Sequence, residues 1–453
     1  MMRSSRGLLV AGALIALPAG ALRARTFSLE QAVHYALHHS SLTALARARA
    51  LMAAARLRAA RAQRMPQLSV SYNYLFSNNP LVALTAELER RQVTASAFTP
   101  DNLNHPGITR LATAGLSLAV PIYSGGAVSE SIRAGRFGRA AANAGRQETR
   151  ERIIAATVRA YEGVLAARAA LKIARQAVHA AREHADTTAS LYRHGRIVHS
   201  DALTAAVYLQ ATREGALKTQ AALNAAKANL AAVLGAPATL PISVPALALR
   251  PPARRAETVQ DFIARALAQR PDLRALKAEE AADLAQAQAL RARSGIKVAL
   301  TASTDWYSET PLPRHNAWTV GGMISAPLYD GGQARDEAAA KEEAAAALGA
   351  QRDELETQIR FEIARTYEDM QIARQRYRVG LANVAQAKAA VRLVRIRYGE
   401  GRTILLDLLN AEQGLTAARE QRLAALYALM SDRVTLAAAD ASLTPGTLPR
   451  LAS

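Results

Sequence analysis

Four stretches of the chain alternate apolar and polar positions. Leu68, Val70, Tyr72, Tyr74 and Phe76 alternate with Ser69, Ser71, Asn73 and Ser77, with Leu75 the exception. Leu116, Leu118, Val120 and Ile122 share a side opposite Gly115, Ser117 and Ala119. Ile296, Val298, Leu300 and Trp306 oppose Lys297, Thr301, Ser303 and Asp305, and Trp318, Val320, Ile324 and Leu328 oppose Thr319, Gly321 and Ser325. A period of two predicts β-strands, each about ten residues long, the length of an outer-membrane strand. Elsewhere the apolar spacing is helical. Residues 127–192 lack proline over 66 positions, which predicts a helix of about 100 Å. Along it Ile154, Val158, Tyr161 and Leu165 step 4-3-4, and Ala169 and Ile173 continue the seam at steps of four. Residues 333–398 repeat that length, and shorter helices are expected over about 28–64 and 203–235.

These patterns occur twice. Pro121-Ile122-Tyr123-Ser124-Gly125-Gly126 matches Pro327-Leu328-Tyr329-Asp330-Gly331-Gly332 at an offset of 206. Tyr161-Glu162 matches Tyr367-Glu368 at the same offset, and Tyr192, Gly195, Arg196, Asp201 and Leu203 match Tyr398, Gly401, Arg402, Asp407 and Leu409. Upstream, Leu68 and Val70 match Val298 and Leu300 at an offset of 230, so the first half carries 24 extra residues between its two strands. Pro80, Pro100 and Pro106 in this insertion predict irregular structure. The expected organisation is an N-terminal segment 1–21, a first repeat 22–236, a proline-rich linker 237–256, a second repeat 257–440 and a tail 441–453. Each repeat reads as helix, two strands, long helix, shorter helix.

Composition narrows the choices. Alanine is roughly a quarter of the chain and aromatics only 5%, which suits walls of closely packed helices better than one large core. There is no cysteine, hence no disulfide, no thiolate site and no lipid-modified N-terminal cysteine. The net charge of +20 raises nucleic acid as a partner. Against that stands the N-terminus. Arg3 and Arg6, an apolar run from Gly7 to Leu17, Pro18 and then Ala19-Gly20-Ala21 form a cleavable signal peptide, so export is expected. Four strands cannot close a membrane barrel, whose minimum is about eight, so several chains must share one, and three would supply twelve strands. The only tryptophans, Trp306 and Trp318, bracket the loop between the third and fourth strands. With Tyr72 and Tyr74 they are candidates for membrane-interface aromatics.

At this point the chain resembles the TolC-like outer membrane efflux proteins. The resemblance rests on the opening Ser28-Leu29-Glu30-x-Ala32-x-x-x-Ala36-Leu37 and on the two Pro-x-Tyr-x-Gly-Gly hairpin exits. It rests also on Tyr192-x-x-Gly195 and on Tyr398-x-x-Gly401 followed by Asp407. It implies a mainly α protein with a membrane β-barrel: a homotrimer with an α-barrel of long coiled-coil helices and a shared 12-stranded β-barrel. The implied function is a passive outer-membrane exit duct of a tripartite efflux or type I secretion system, with a long periplasmic portion. Its implied partners are a periplasmic adaptor, an inner-membrane pump and outer-membrane lipid, with no nucleic acid. Gly195, Arg196 and Ile197, and Gly401, Arg402 and Thr403, match the adaptor-docking turns. Both turns lack the family's Val-Gly start, having His194 and Glu400 before the glycine. Asp201 and Tyr398 match a pair that holds the periplasmic entrance closed. Asp407 matches an inward acidic ring whose second position is Asn410 here.

From the residues alone, Asp201 and Asp407 read equally as helix N-caps. His34 and His38, with His39 beside them, have metal-ligand spacing but lack a carboxylate or cysteine to complete a set, so a solvated face is expected. No phosphate loop, dinucleotide fingerprint, nucleophile elbow or zinc-protease motif occurs, so neither enzyme activity nor a cofactor is expected. The alternatives are an exported or basic coiled-coil structural or nucleic-acid-binding protein and a soluble periplasmic adaptor, whose β-rich segments are missing.

Overall fold

A computed structural model describes residues 25–237, 242–245, 250–251, 257–312, 314–444 and 446. The expected signal peptide, parts of the linker and most of the tail lie outside the described residues. The first repeat contains β1 (Arg25–Thr26), α1 (Leu29–His39), α2 (Ser41–Ala62), β2 (Gln67–Ser77), α3 (Pro80–Glu89) and α4 (Pro100–Asn104). It continues with β3 (Thr109–Ser124), α5 (Ala127–Arg193) and α6 (His199–Leu234). After β4 (Ile242–Ser243) come α7 (Val259–Gln269), α8 (Pro271–Arg291), β5 (Lys297–Ser308), β6 (His315–Ser325), α9 (Gln333–Gly399) and α10 (Leu405–Ala439).

The long helices α5 and α9 are both 67 residues, as an uninterrupted proline-free run allows. The expected helix over 28–64 is instead two, because Ser40 is extended at φ −67°, ψ 131°. The second repeat breaks at the equivalent Arg270, where the following Pro271 disfavours a helical conformation. The opening of the first repeat is a capping box: the Gln31 amide donates to Ser28 Oγ (3.2 Å) and the Ser28 amide to Gln31 Oε1 (3.0 Å).

The insertion is partly helical and not irregular throughout as expected. It forms α3, α4 and a short 3₁₀ turn at Ala95–Phe98. Pro80 and Pro100 start these helices, where the missing N–H has no intrahelical partner to lose. Buried Arg90 ties the end of α3 down, donating to the Ala86 carbonyl and pairing with Glu309 at 3.5 Å.

The chain divides into two compact units, each drawn from both repeats. The first comprises the described parts of Met1–Ser41, Arg150–Val259 and Ile363–Ser453. Its largest core joins Phe27 and Ala36 to Tyr161, Val164, Leu165 and Leu171 of α5, to Leu223, Leu230 and Leu234 of α6, and to Ile242. A second cluster gathers Val33, Ile154, Val158, Val434 and Leu443. The expected seam is buried from Ile154 to Leu165, then drifts from Ala169 and Ile173 to Leu171 and Ala174. Parallel pairing of β1 with β4 fixes the start of the first repeat to the linker, and Arg168 donates to the carbonyls of Val244 and Pro245.

The second unit comprises Leu42–Thr149 and Gln260–Glu362 and holds the sheet, in the antiparallel order β2-β3-β5-β6. Register brings the apolar positions of all four strands to one face. Val70, Leu116, Thr304 and Trp318 form one cross-strand row; Leu68, Leu118, Ala302 and Val320 form the next. No described residue covers that face: Val70 is 80% exposed, Trp318 74% and Ile324 75%. Three expected positions differ. Ile296 precedes the start of β5 at Lys297. Ile122 is the unpaired residue of a bulge beside Pro121, so Tyr123 pairs with Val298 in its stead. Leu328 lies beyond the end of β6. Salt bridges Arg352–Glu280 (2.8 Å), Lys341–Asp283 (3.0 Å) and Arg291–Glu342 (2.7 Å) join α8 to α9.

Candidate functional site

The two helix-to-helix turns of the first unit are built alike. After α5, the Gly195 amide donates to the Tyr192 carbonyl and the Arg196 amide to Leu191. After α9, Gly401 donates to Tyr398 and Arg402 to Arg397. These nested bonds are Schellman motifs, and they require a left-handed residue at the glycine. Gly195 has φ +69° and Gly401 φ +70°, and a Cβ at either would meet nothing within 4 Å. The glycines are therefore set by backbone conformation and not by crowding. The following turns, Gly195-Arg196-Ile197 and Gly401-Arg402-Thr403, are exposed at their glycines and arginines. Arg402 pairs with Glu400 at 3.2 Å.

Both shorter helices then begin behind an apolar N-cap, Val198 or Ile404, with no side-chain cap bond. Asp201 and Asp407 are thus third-position residues of their helices, not N-caps. There each carboxylate complements the positive end of the helix dipole, and Asp407 also accepts a hydrogen bond from the Thr403 hydroxyl. Asp407 and Asn410 are exposed on α10, one turn apart.

The turns meet through side chains. Ala205 of α6 and Leu405 and Leu409 of α10 are buried together, with Ala185 of α5, Tyr208 of α6 and Tyr398 of α9 packed against them. Burial, and after it the Asp201 carboxylate, push the Tyr398 phenol above its ordinary value. Asp201 and Tyr398 are therefore neighbours, though no hydrogen bond joins them in this conformation. At the first turn the corresponding Tyr192 stacks on His199 at 4.6 Å.

Sequence reading did not single out the carboxylate behind these turns. Glu412 of α10 is buried, accepts from Arg395 Nη2 of α9 at 2.7 Å, and lies 3.6 Å from His184 Nε2 of α5. His184 and Arg395 hold the Glu412 carboxyl below its ordinary value against the opposing effect of burial. The available signal was asymmetry: at the 206 offset, the counterparts of His184, Arg395 and Glu412 are Ala390, Ala189 and Ala206.

In the sheet, Tyr72, Ala114, Trp306 and Asn316 form one cross-strand row, flanked by the rows of Tyr74 and of Trp318. The four aromatics therefore cluster at the β5–β6 hairpin end of the apolar face, where the Tyr72 hydroxyl donates to the Pro311 carbonyl (3.0 Å). His34 and His38 have ring centroids 4.4 Å apart, while His39 stacks on Tyr35. Among the described residues no group of three or more His, Cys, Asp or Glu side chains is arranged to hold a metal ion. No helix among them is long and apolar enough to cross a membrane.

The family model for the outer membrane efflux protein matches residues 33–236 and 262–442. Comparison with curated protein sequences finds no match. Among solved structures, the chain is similar to the outer membrane protein VceC from Vibrio cholerae, with 21% identity, TM-score 0.75, and 91% of this chain and 95% of that chain covered. It is similar to the Campylobacter jejuni CmeC outer membrane channel, with 17% identity, TM-score 0.75, and 99% and 98% covered. The open state of the Neisseria gonorrhoeae MtrE outer membrane channel matches with 18% identity, TM-score 0.73, and 91% and 88% covered.

Proposed function

The chain belongs to the outer membrane efflux protein family, and from that premise we propose that it is a passive exit duct assembled from three copies. Members of this family are channels, not enzymes, and the work here is passage across the outer membrane. The observation that carries the trimeric reading is the sheet: four strands, one uncovered apolar face and two edges, β2 and β6, without a strand partner among the described residues. Four strands are too few to close, and an unpaired edge in lipid leaves backbone groups unsatisfied. Because the strand number is even, β6 of one copy runs antiparallel to β2 of the next, and three copies give a closed antiparallel barrel of twelve strands. The contact is heterologous and closes as a ring.

In this reading the aromatics Tyr72, Tyr74, Trp306 and Trp318 stand at a lipid–water interface. The turns at Gly195–Ile197 and Gly401–Thr403 dock a periplasmic adaptor and, through it, an inner-membrane pump. Asp201, Tyr398, Asp407 and Asn410 form the entrance. Residues 1–21 are removed on export, and the absence of cysteine leaves no thiol for lipid attachment at the new N-terminus. The test is outer-membrane fractionation with chemical crosslinking, followed by conductance in planar bilayers. A crosslinked trimer that conducts is expected. A soluble monomer would overturn the proposal.

A further inference from the structure

Helix α1 has two unlike faces. Ala32, Val33 and Ala36 are buried, Val33 in one core cluster with Ile154 and Val158 of α5, the alanines in the other. The capping box at Ser28 fixes the start of the helix, and extended Ser40 ends it. On the exposed side Glu30, His34 and His38 follow one another at steps of four. All three line one cleft together with Arg150 of α5. Of the charged groups there, Glu30 favours a cation and Arg150 opposes it.

His34 and His38, expected on a solvated face, are placed as a chelating pair. Their ring centroids are 4.4 Å apart and the ring planes are inclined at 43°. A metal–nitrogen bond of about 2.0–2.1 Å puts an imidazole centroid about 3.2 Å from the metal. Two such rings at 90° about the metal stand about 4.5 Å apart, and at the tetrahedral angle about 5.2 Å. The observed separation is that of adjacent positions on a tetragonal ion, the geometry of copper(II) or nickel(II) with nitrogen and oxygen ligands. Neither ring has a hydrogen-bond partner among the described residues. His39 is engaged elsewhere: it stacks on Tyr35 at 3.8 Å, and its Nδ1 donates to the Tyr35 carbonyl at 3.0 Å. Of the nine histidines in the chain, His34 and His38 alone are four residues apart.

We infer that His34 and His38 form a site for one divalent transition-metal ion per chain, taking copper(II) or nickel(II) in preference to zinc. The two imidazoles occupy adjacent positions and water fills the others, so no third protein ligand is required. The core holds the backbone that carries the pair, which leaves little ordering for binding to cost. An ion bound by residues 34 and 38 spans one helical turn and stabilises the end of α1 just before its break at Ser40. The site goes beyond the exit-duct reading and does not depend on it.

The test uses the full-length protein, purified without an added histidine tag and titrated with copper(II), nickel(II) or zinc(II) salts. Calorimetry should give one ion per chain, with affinity falling in the order copper, nickel, zinc. Electron paramagnetic resonance of the copper form should show two imidazole nitrogens. His34→Gln and His38→Gln should each leave one. Because the second imidazole binds intramolecularly, its loss should weaken copper binding at least about tenfold. His39→Gln should leave the spectrum and the affinity at the wild-type value. Copper should also raise the melting temperature of the wild type and not that of His34→Gln. Both positions are exposed, so the metal-free melting temperatures should agree. Copper binding that survives His34→Gln and His38→Gln, or that falls equally in His39→Gln, would overturn the site. Zinc bound more tightly than nickel would overturn the geometry assigned to it. None of these results bears on the duct, which stands or falls on crosslinking and conductance.

Discussion

Replacing Glu162 by glutamine should stabilise the protein, and only above a defined pH. Glu162 of α5 is 5% exposed, and its Oε2 has no hydrogen-bond partner. Burial raises its carboxyl from the ordinary 4.5 to about 7, and the Arg433 charge offsets only part of that. At ~1.4 kcal/mol per tenfold change in proton affinity, the difference corresponds to roughly 3 kcal/mol per chain. The sign follows from proton uptake. Between pH 4.5 and about 7 the folded state holds a proton that the unfolded state has released, so stability falls as pH rises. Below 4.5 both states are protonated and the penalty is absent; above 7 both are ionised and the penalty is complete. Glutamine carries no charge to desolvate, so Glu162→Gln should gain up to ~3 kcal/mol at pH 8 and close to nothing at pH 4.5. The assay is thermal unfolding followed by circular dichroism at fixed scan rate, from pH 5 to pH 8, for wild type and variant. Glu368, its exposed counterpart in the second repeat, supplies the control, and Glu368→Gln should leave the profile unchanged. A difference between wild type and Glu162→Gln that is constant with pH, or that grows toward acid, would refute the reasoning.

Gly195→Ala and Gly401→Ala each force an L-residue into the left-handed region and should each cost about 1 kcal/mol, read as a lower melting temperature, with no contribution from steric contact. In a Trp306→Phe protein the sole remaining fluorophore of its kind is Trp318. Its emission should be blue-shifted and quenched by lipids brominated on their acyl chains; free quenching by aqueous acrylamide would remove the apolar face from the membrane. An epitope inserted after exposed Gln92, between the anchored Arg90 and the short turn at Ala95–Phe98, should leave folding intact and label on whole cells. Labelling only after permeabilisation would reverse the proposed orientation.

The long elements were legible because nothing interrupts them. A period of two over β2 and β6, and 67 residues without proline in α5 and α9, leave little choice of local structure. The sequence failed where a breaker has two meanings. Pro80 and Pro100 read as helix breakers, yet each sits in the first turn of a helix, where proline removes no intrahelical hydrogen bond. The break at Ser40 went unseen because helical spacing resumes at once on its other side. At the turns, the glycines were legible through their repetition. The Glu412 set was not, since a pairing between α5 and α10 leaves no periodic trace. Tyr161-Glu162 and Tyr367-Glu368 make the same point from the other direction: one dipeptide, duplicated, buries its carboxylate in the first repeat and exposes it in the second. Residue type was inherited, but burial depends on what packs opposite.

The short parallel pairing of β1 with β4 bears on the order of folding. Arg25 aligns with Ile242, so the chain must close a loop of 217 residues to form a ladder only two residues long. Closing a flexible loop of that length costs about 5 kcal/mol from the logarithmic term alone. The few hydrogen bonds involved return roughly 1 kcal/mol each. The ladder therefore cannot nucleate anything. It forms after Phe27, Ala32 and Ala36 have joined α5 and α6, when most of the closure has already been achieved by the core. Since synthesis begins at the N-terminus, the first strand to be made is among the last to find its partner, and the rate at which it locks reports the completion of the first repeat.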